Sequence, residues 1–176
     1  MKVLYINSHS ADYVQDLTYS GLVKKLGFKN VIDFHWNKKY HLPYKKYPKN
    51  IGYQKNSFFS SLFNRSFKDI DYVFIGSSKV DCFETYLEII DKILLSVPVI
   101  LIDGGDRGDG IAKDLDSYGR DDLIEKVFSK RKIDYIFTRE YLIDREYADN
   151  VFPLPISFNY DRMPILDYNL KYDVSF

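Results

Sequence analysis

A histidine near the start of the chain carries the side chain best suited to acid–base chemistry. His9 lies in the polar segment that follows the first short apolar run of the sequence. Because an imidazole has a pKa of about 6.5, His9 can take a proton from a hydroxyl group at neutral pH and act as a general base. Asp12 or Asp103 could orient the ring as a carboxylate partner. A structural role, on the surface or at a helix end, is the alternative for the same residue.

A second group of polar residues lies in the loop 103–110, which combines four glycines with three aspartates. Glycines let the main chain approach a ligand closely, and carboxylates accept hydrogen bonds from hydroxyl groups. Asp103, Asp106 and Asp109 are three residues apart, which does not match a calcium-binding loop. We therefore predict ligand contacts but no metal site here, with a flexible strand-to-helix turn as the alternative.

A basic and aromatic segment, residues 35–68, interrupts the chain and is called the insertion below. It contains eight Lys and Arg residues, no Asp or Glu, and many Tyr and Phe residues. Such a segment produces a positive field that attracts anions, and its rings can stack on sugars. We predict contact with a sugar-bearing ligand, an anionic glycan or a membrane surface. A solvated surface segment without a ligand is the alternative.

Short apolar runs alternate with helical patterns over most of the sequence. Strands are predicted at 3–6, 30–34, 71–76, 99–102 and 134–138, with a sixth at 151–156 where two prolines indicate a sheet edge or a linker. Helices are predicted at 12–26, 57–67, 81–96 and around 123–128. This alternation predicts an α/β fold, a three-layer α/β/α sandwich with a mainly parallel, Rossmann-like sheet of five or six strands.

Three sequence signals mark the helix ends. Ser10 or Asp12 can cap the first helix at its N-terminus, and Gly27 follows as its natural end. Asp81 and Glu84 have the spacing of a capping box at the start of the third predicted helix.

The predicted sheet indicates where a ligand would bind. In an open parallel sheet, ligands bind beyond the carboxyl ends of the strands, near the point where the strand order reverses. The expected binding residues therefore follow the strands, although the last two could instead pair with each other. They are Asn7, Ser8 and Asp12 after strand one, His35 and Trp36 after strand two, Ser77 and Ser78 after strand three, Asp103, Gly104, Gly105 and Asp106 after strand four, and Arg139 and Glu140 after strand five.

Several protein classes are excluded or disfavoured by the sequence. The 176 residues suit one domain of ordinary size, and the loop 7–12 lacks the glycines of a dinucleotide-binding turn. No phosphate-loop motif is present. The single cysteine, Cys82, excludes an intrachain disulfide framework. No apolar run is long enough for a transmembrane helix, so we expect a cytoplasmic protein, peripheral to the membrane if the insertion binds there.

Several short motifs occur along most of the chain, and their order resembles the order of motifs in a known group of proteins. They are 11–17 with Gly21-Leu22 and Leu26-Gly27, then 99–106, 137–140, 152–156 and 172–176. The first resembles the first helix of bacterial glycosyltransferase-like proteins with the GT-B architecture, often labelled spore-maturation-protein-like. The next three are similar to that group's strand with an Asp-Gly-acidic turn, its aromatic-x-Arg-Glu segment and its apolar proline segment. The last resembles the linker strand that opens the second domain.

The resemblance implies a specific role. GT-B enzymes have two Rossmann-like domains, of which the N-terminal one shapes the acceptor side and often supplies the base. We therefore expect residues 1–160 to form such a domain and 161–176 to lead toward a second domain. That second domain would bind the nucleotide-sugar donor, so no cofactor is expected here. The expected function is acceptor binding in surface polysaccharide or glycoconjugate synthesis, and the chain alone would be inactive.

The sequence also leaves two other functions to consider. A non-catalytic α/β regulatory or binding module is the main alternative. Nucleic-acid binding through the basic and aromatic insertion is disfavoured, because the chain has no net charge and no recognition motif.

Overall fold

Six parallel strands form the centre of the molecule. The computed structural model describes residues 1–43, 45, 49–52, 67–105, 119–120 and 122–155. The strands are β1 (Val3–Ile6), β2 (Val31–Phe34), β3 (Tyr72–Ile75), β4 (Val99–Asp103), β5 (Tyr135–Thr138) and β6 (Val151–Pro153), in the spatial order β2-β1-β3-β4-β5-β6. Every neighbouring pair is parallel. The fold is therefore the predicted α/β, Rossmann-like one, with all six expected strands present.

Helices connect these strands. They are α1 (Tyr13–Leu26), α2 (Lys38–His41), α3 (Val80–Ile89) and α4 (Asp122–Lys130), with 3-10 turns at Phe28–Asn30, Phe67–Asp69 and Ile90–Lys92. The predicted ends of α1 are confirmed. The Asp12 carboxylate accepts a hydrogen bond from the Gln15 amide at 3.1 Å, and Gly27 ends the helix with a φ of 84°, where a side chain would be strained.

The capping-box prediction for α3 is wrong. The N-cap residue is Lys79, and its side chain makes no capping hydrogen bond within the described part of the chain. Asp81 lies inside the first turn, and its carboxylate bonds instead to Ser8 Oγ and to the His9 amide. The helix also ends at Ile89 and passes into a 3-10 turn, rather than continuing to residue 96. A long-range contact has replaced the local cap that the spacing indicated.

Side chains alternate between the two faces of the sheet, as the strand geometry requires. On one face, Leu4 and Ile6 of β1 belong to a buried cluster with Phe83 of α3 and Leu123 of α4. On the other face, Tyr5 packs against residues of α1. The described helices thus form two layers around one sheet, which confirms the three-layer sandwich.

The outer edge of β6 is short of amide donors for further strand pairing. The Val151 amide donates to the Ala148 carbonyl at 2.9 Å, and Pro153 has no N–H group. These two residues alternate with Phe152, whose main chain pairs with β5. The described strand therefore offers no outward-facing amide donor to another chain, a device common at sheet edges.

Some predicted features lie outside the described residues. They are the helix at 57–67 apart from its last residue, the boundary at residue 160, and the segment 161–176.

Gly76, directly after β3, leaves room for the Tyr5 ring of the neighbouring strand β1. A Cβ atom at this position would lie 2.6 Å from the Tyr5 ring, which is fully buried and donates a hydrogen bond to the Gln15 carbonyl. We expect Gly76→Ala to lower the free energy of unfolding by about 1–3 kcal/mol through overpacking, as measured by urea denaturation.

The matched control is Gly21→Ala in α1, where a Cβ atom would meet no other atom within 4 Å. This change should raise the free energy of unfolding by about 1 kcal/mol through helix propensity. An unchanged denaturation midpoint for Gly76→Ala would show that Tyr5 can move aside.

Candidate functional site

The strand order reverses direction between β1 and β3. From β1 the chain passes to β2 on one side of the sheet, and from β3 onward it proceeds to the other side. Ile6, Phe34 and Ile75 are aligned by the strand register, so the loops after β1, β2 and β3 begin at the same level. Loops at such a switch point separate and leave a crevice, which is the expected ligand position in this type of fold.

The loop after β1 is held in place by two side chains from neighbouring helices. Gln15 of α1 accepts from the Ser8 amide at 2.6 Å and donates to the Ser8 carbonyl at 3.1 Å. Asp81 of α3 accepts from Ser8 Oγ at 2.8 Å and from the His9 amide at 3.1 Å. The sequence analysis did not identify Gln15 or Asp81 as site residues. Asp81 could have been noticed, because it lies in the first turn of the helix that follows β3.

The His9 ring is exposed, and neither predicted carboxylate orients it. Asp12 is occupied by the Gln15 amide, by Ser77 Oγ at 2.7 Å and by Lys79 Nζ at 3.7 Å. Among the residues that the structure describes, no carboxylate hydrogen-bonds to the imidazole. The suggested pairing of His9 with Asp12 or Asp103 is therefore not seen in the described residues, and other donors bind both carboxylates.

Asp103 organises the loops after β3, β4 and β5. β4 and β5 extend two residues beyond the level of β3, which brings Asp103 beside Ser78 and Thr138. Its buried carboxylate accepts from Ser78 Oγ at 3.0 Å, from Thr138 Oγ1 at 3.0 Å and from the Gly105 amide at 3.2 Å. Asp103 and Ser78 lie together at the carboxyl edge of the sheet, where the carboxylate binds the loops, and their predicted ligand contacts stay predictions.

Gly104 and Asp106 are also predicted as binding residues, and only Gly104 lies among the described residues. Gly104 packs against Val14 of α1, where an added Cβ atom would lie 3.1 Å from the valine side chain. Asp106 lies outside the described residues.

Arg139 and Glu140 pair with each other, which was the alternative in the sequence analysis. Arg139 Nε donates to Glu140 Oε1 at 3.1 Å, and Arg139 Nη2 donates to the Gly105 carbonyl at 3.3 Å. The guanidinium also lies over the Tyr13 ring, 5.4 Å from its centroid, and hydrogen-bonds to the Tyr13 hydroxyl. Arg139 thereby ties the loops after β4 and β5 to the start of α1.

His35 and Trp36 contact neighbours other than the loop after β1. The exposed His35 ring is 3.8 Å from the Glu88 carboxylate of α3, and the Trp36 ring stacks on His41 with centroids 5.1 Å apart. The His35 main chain reaches the β1 loop, where its carbonyl accepts from Asn7 Nδ2 at 2.8 Å. The predicted ligand role of the two rings stays a prediction.

Part of the positive charge of the insertion is buried and neutralised. Lys39 Nζ lies 2.7 Å from the Asp16 carboxylate of α1, with side chains only 9% and 2% exposed. The Tyr40 hydroxyl donates to the same carboxylate at 3.1 Å, and burial raises the pKa of Tyr40 well above its ordinary value. His41 Nε2 lies 2.8 Å from Asp33 Oδ1 in a second buried pair. These residues fix the start of the insertion to the domain, whereas Lys38, Lys45 and Lys49 are exposed.

Cys82 is buried beneath the site and is not prepared as a nucleophile. Burial, followed by the negative charge of Asp81, raises the pKa of the thiol well above its ordinary value. The described residues contain no group of His, Cys, Asp or Glu side chains that could hold a metal ion. Within the same part of the chain, no helix is long and apolar enough to cross a membrane.

Comparison with protein families, with characterised proteins and with solved structures finds no match to this chain.

The buried Lys39–Asp16 pair yields a stability prediction. Lys39→Met would leave the Asp16 carboxylate buried without its cation, and we expect the free energy of unfolding to fall by about 3–5 kcal/mol. Lys38→Met, the control at the neighbouring exposed lysine, should change it by less than about 0.5 kcal/mol. Urea denaturation of both variants measures the difference. Equal midpoints would mean that Tyr40 and solvent can replace the lysine.

Proposed function

We propose that this chain is the acceptor-side N-terminal domain of a glycosyltransferase that acts in surface polysaccharide or glycoconjugate synthesis. The sugar-bearing acceptor binds over the carboxyl ends of β1 and β3, and the nucleotide-sugar donor binds a second domain. The observation that carries the proposal is the position of His9. An exposed imidazole lies on a fixed main chain at the switch point of a parallel sheet.

His9 acts as the general base in this proposal. The ring accepts the proton of an acceptor hydroxyl while that oxygen bonds to the anomeric carbon of the donor sugar. The bond between the anomeric carbon and the donor phosphate breaks at the same centre, and the phosphate leaves with the bonding electrons. Because the described carboxylates do not hold the ring, the acceptor itself would orient it.

Two serines of the loop after β3 lie beneath the proposed acceptor site. Ser77 and Ser78 are buried and donate their hydroxyl protons to Asp12 and Asp103, so they hold these carboxylates in place under the acceptor. Exposed lysines of the insertion, Lys38, Lys45 and Lys49, give it a positive surface suited to an anionic glycan or an anionic membrane. The proposed location is the cytoplasmic side of the membrane.

A non-catalytic α/β binding module is the second candidate. The observation that favours it is the occupation of Asp12, Asp81 and Asp103 by internal donors, which leaves the described part of the chain without a carboxylate partner for His9. Such a module would bind the same hydroxyl-rich ligand at the switch point without turnover.

The role of His9 is tested by His9→Ala in a protein that contains both domains. We expect kcat to fall by about 10²–10⁴-fold, because the proton of the acceptor hydroxyl loses its acceptor, while KM changes little. Transfer is assayed with a panel of nucleotide-sugars and glycan acceptors. Ser10→Ala, at the neighbouring exposed residue, is the matched control and should keep its activity.

Unchanged turnover of His9→Ala would remove His9 from the mechanism. Glycan-array binding by the wild-type protein without turnover of any donor would support the binding module instead.

A further inference from the structure

A buried amide connects the insertion to the loop that carries His9. Asn37 Nδ2 donates to Asn7 Oδ1 at 2.9 Å and lies 3.4 Å from the Ser8 carbonyl oxygen. Asn7, Ser8 and Asn37 are each less than one-tenth exposed. A buried side-chain amide has few alternative partners, so these contacts define the separation of the two segments.

The position of Asn37 is fixed from the opposite side by Asp33. The main-chain amide of Asn37 donates to Asp33 Oδ2 at 2.7 Å, and the other oxygen of this carboxylate lies 2.8 Å from His41 Nε2. Asn37 Oδ1 accepts from the Lys39 amide at 3.1 Å and caps α2. The Asp33 carboxylate and the Asn37 cap therefore fix the first turn of the insertion. The side-chain NH₂ group of Asn37 is left to bind the β1 loop.

We propose that Asn37 is a positioning residue that holds the His9 loop against residues 35–43, the start of the insertion, and thereby sets the position of His9. This inference rests on the proposed function for the role of His9, but the coupling itself is a property of the free chain. Gln15 and Asp81 hold the Ser8 main chain and side chain from the helices, and Asn37 holds the same peptide from the insertion. Loss of the Asn37 amide frees one side of this peptide.

Asn37→Ser separates the two functions of the asparagine. Serine is a good N-cap residue and keeps an acceptor for the Lys39 amide, but its side chain is too short to reach Asn7 Oδ1. The matched control is Asn30→Ser, which removes a comparable amide bond, from Asn30 Nδ2 to the Leu26 carbonyl at 2.7 Å, at the other end of the sheet. Asn7→Ser removes the Asn7–Asn37 contact from the opposite side and is the second variant if the first does not fold.

Amide hydrogen exchange of the free chain, followed by NMR, is the decisive measurement. We expect the Ser8 and His9 amides to exchange about tenfold faster in Asn37→Ser, which is the order of one lost hydrogen bond. Asn30→Ser should leave both amides unchanged, with a smaller loss of thermal stability because Asn30 is only partly buried. Unchanged exchange in Asn37→Ser, or equal acceleration in the control, would overturn the inference.

Steady-state kinetics of the two-domain protein provides the second readout. Asn37→Ser should lower kcat about tenfold at constant KM, because the base is misplaced while the acceptor still binds. Unchanged kcat would overturn the positioning role. If exchange accelerates as expected but His9→Ala keeps full turnover, the coupling of the two segments stands and the proposed base does not.

Discussion

The peptide and side chain of Ser8 form the junction on which the carboxyl edge of the sheet depends. Gln15 of α1, Asp81 of α3 and Asn37 of the insertion all hydrogen-bond to this one residue, which is fully buried. A buried peptide must have its N–H and C=O groups satisfied, and a strand that ends at a loop cannot do this with its own ladder. Here Gln15 and Asn37 satisfy the peptide groups of Ser8, and Asp81 accepts from its hydroxyl, so the loop after β1 is fixed relative to α1, α3 and the start of the insertion.

Carboxylates make most of the remaining connections at this edge. Asp103 joins the loops after β3, β4 and β5, while Asp16 and Asp33 anchor the start of the insertion. A buried carboxylate lowers the stability of the fold unless hydrogen-bond donors surround it. Each of these three carboxylates has at least two donors. These negative side chains therefore hold the loops together. The positive charge of Lys39 is paired inside the domain and does not face a ligand.

The sequence was sufficient for the strands and for α1, but not for α2, the end of α3 or the partners of the polar side chains. All six strands and both ends of α1 could be predicted, because apolar runs, Asp12 and Gly27 act through neighbours in the chain. The bond between Asp81 and Ser8 spans 73 positions, and that between Lys39 and Asp16 spans 23. Local spacing predicted a capping box for Asp81, and the basic composition predicted ligand contact for the segment that contains Lys39. In both cases a distant side chain is the actual partner.

The contrast between the His9 main chain and the His9 ring bears on what the site can do. The main chain is fixed through Asp81, whereas the ring is exposed and has no carboxylate partner in the described residues. In a preorganised dyad, a carboxylate fixes the tautomer before the substrate arrives. Here, under the proposed function, the nitrogen that faces the acceptor is selected by the acceptor itself. Such a base contributes only when a ligand with a correctly placed hydroxyl is bound, so its proton transfer and its acceptor specificity depend on the same contact.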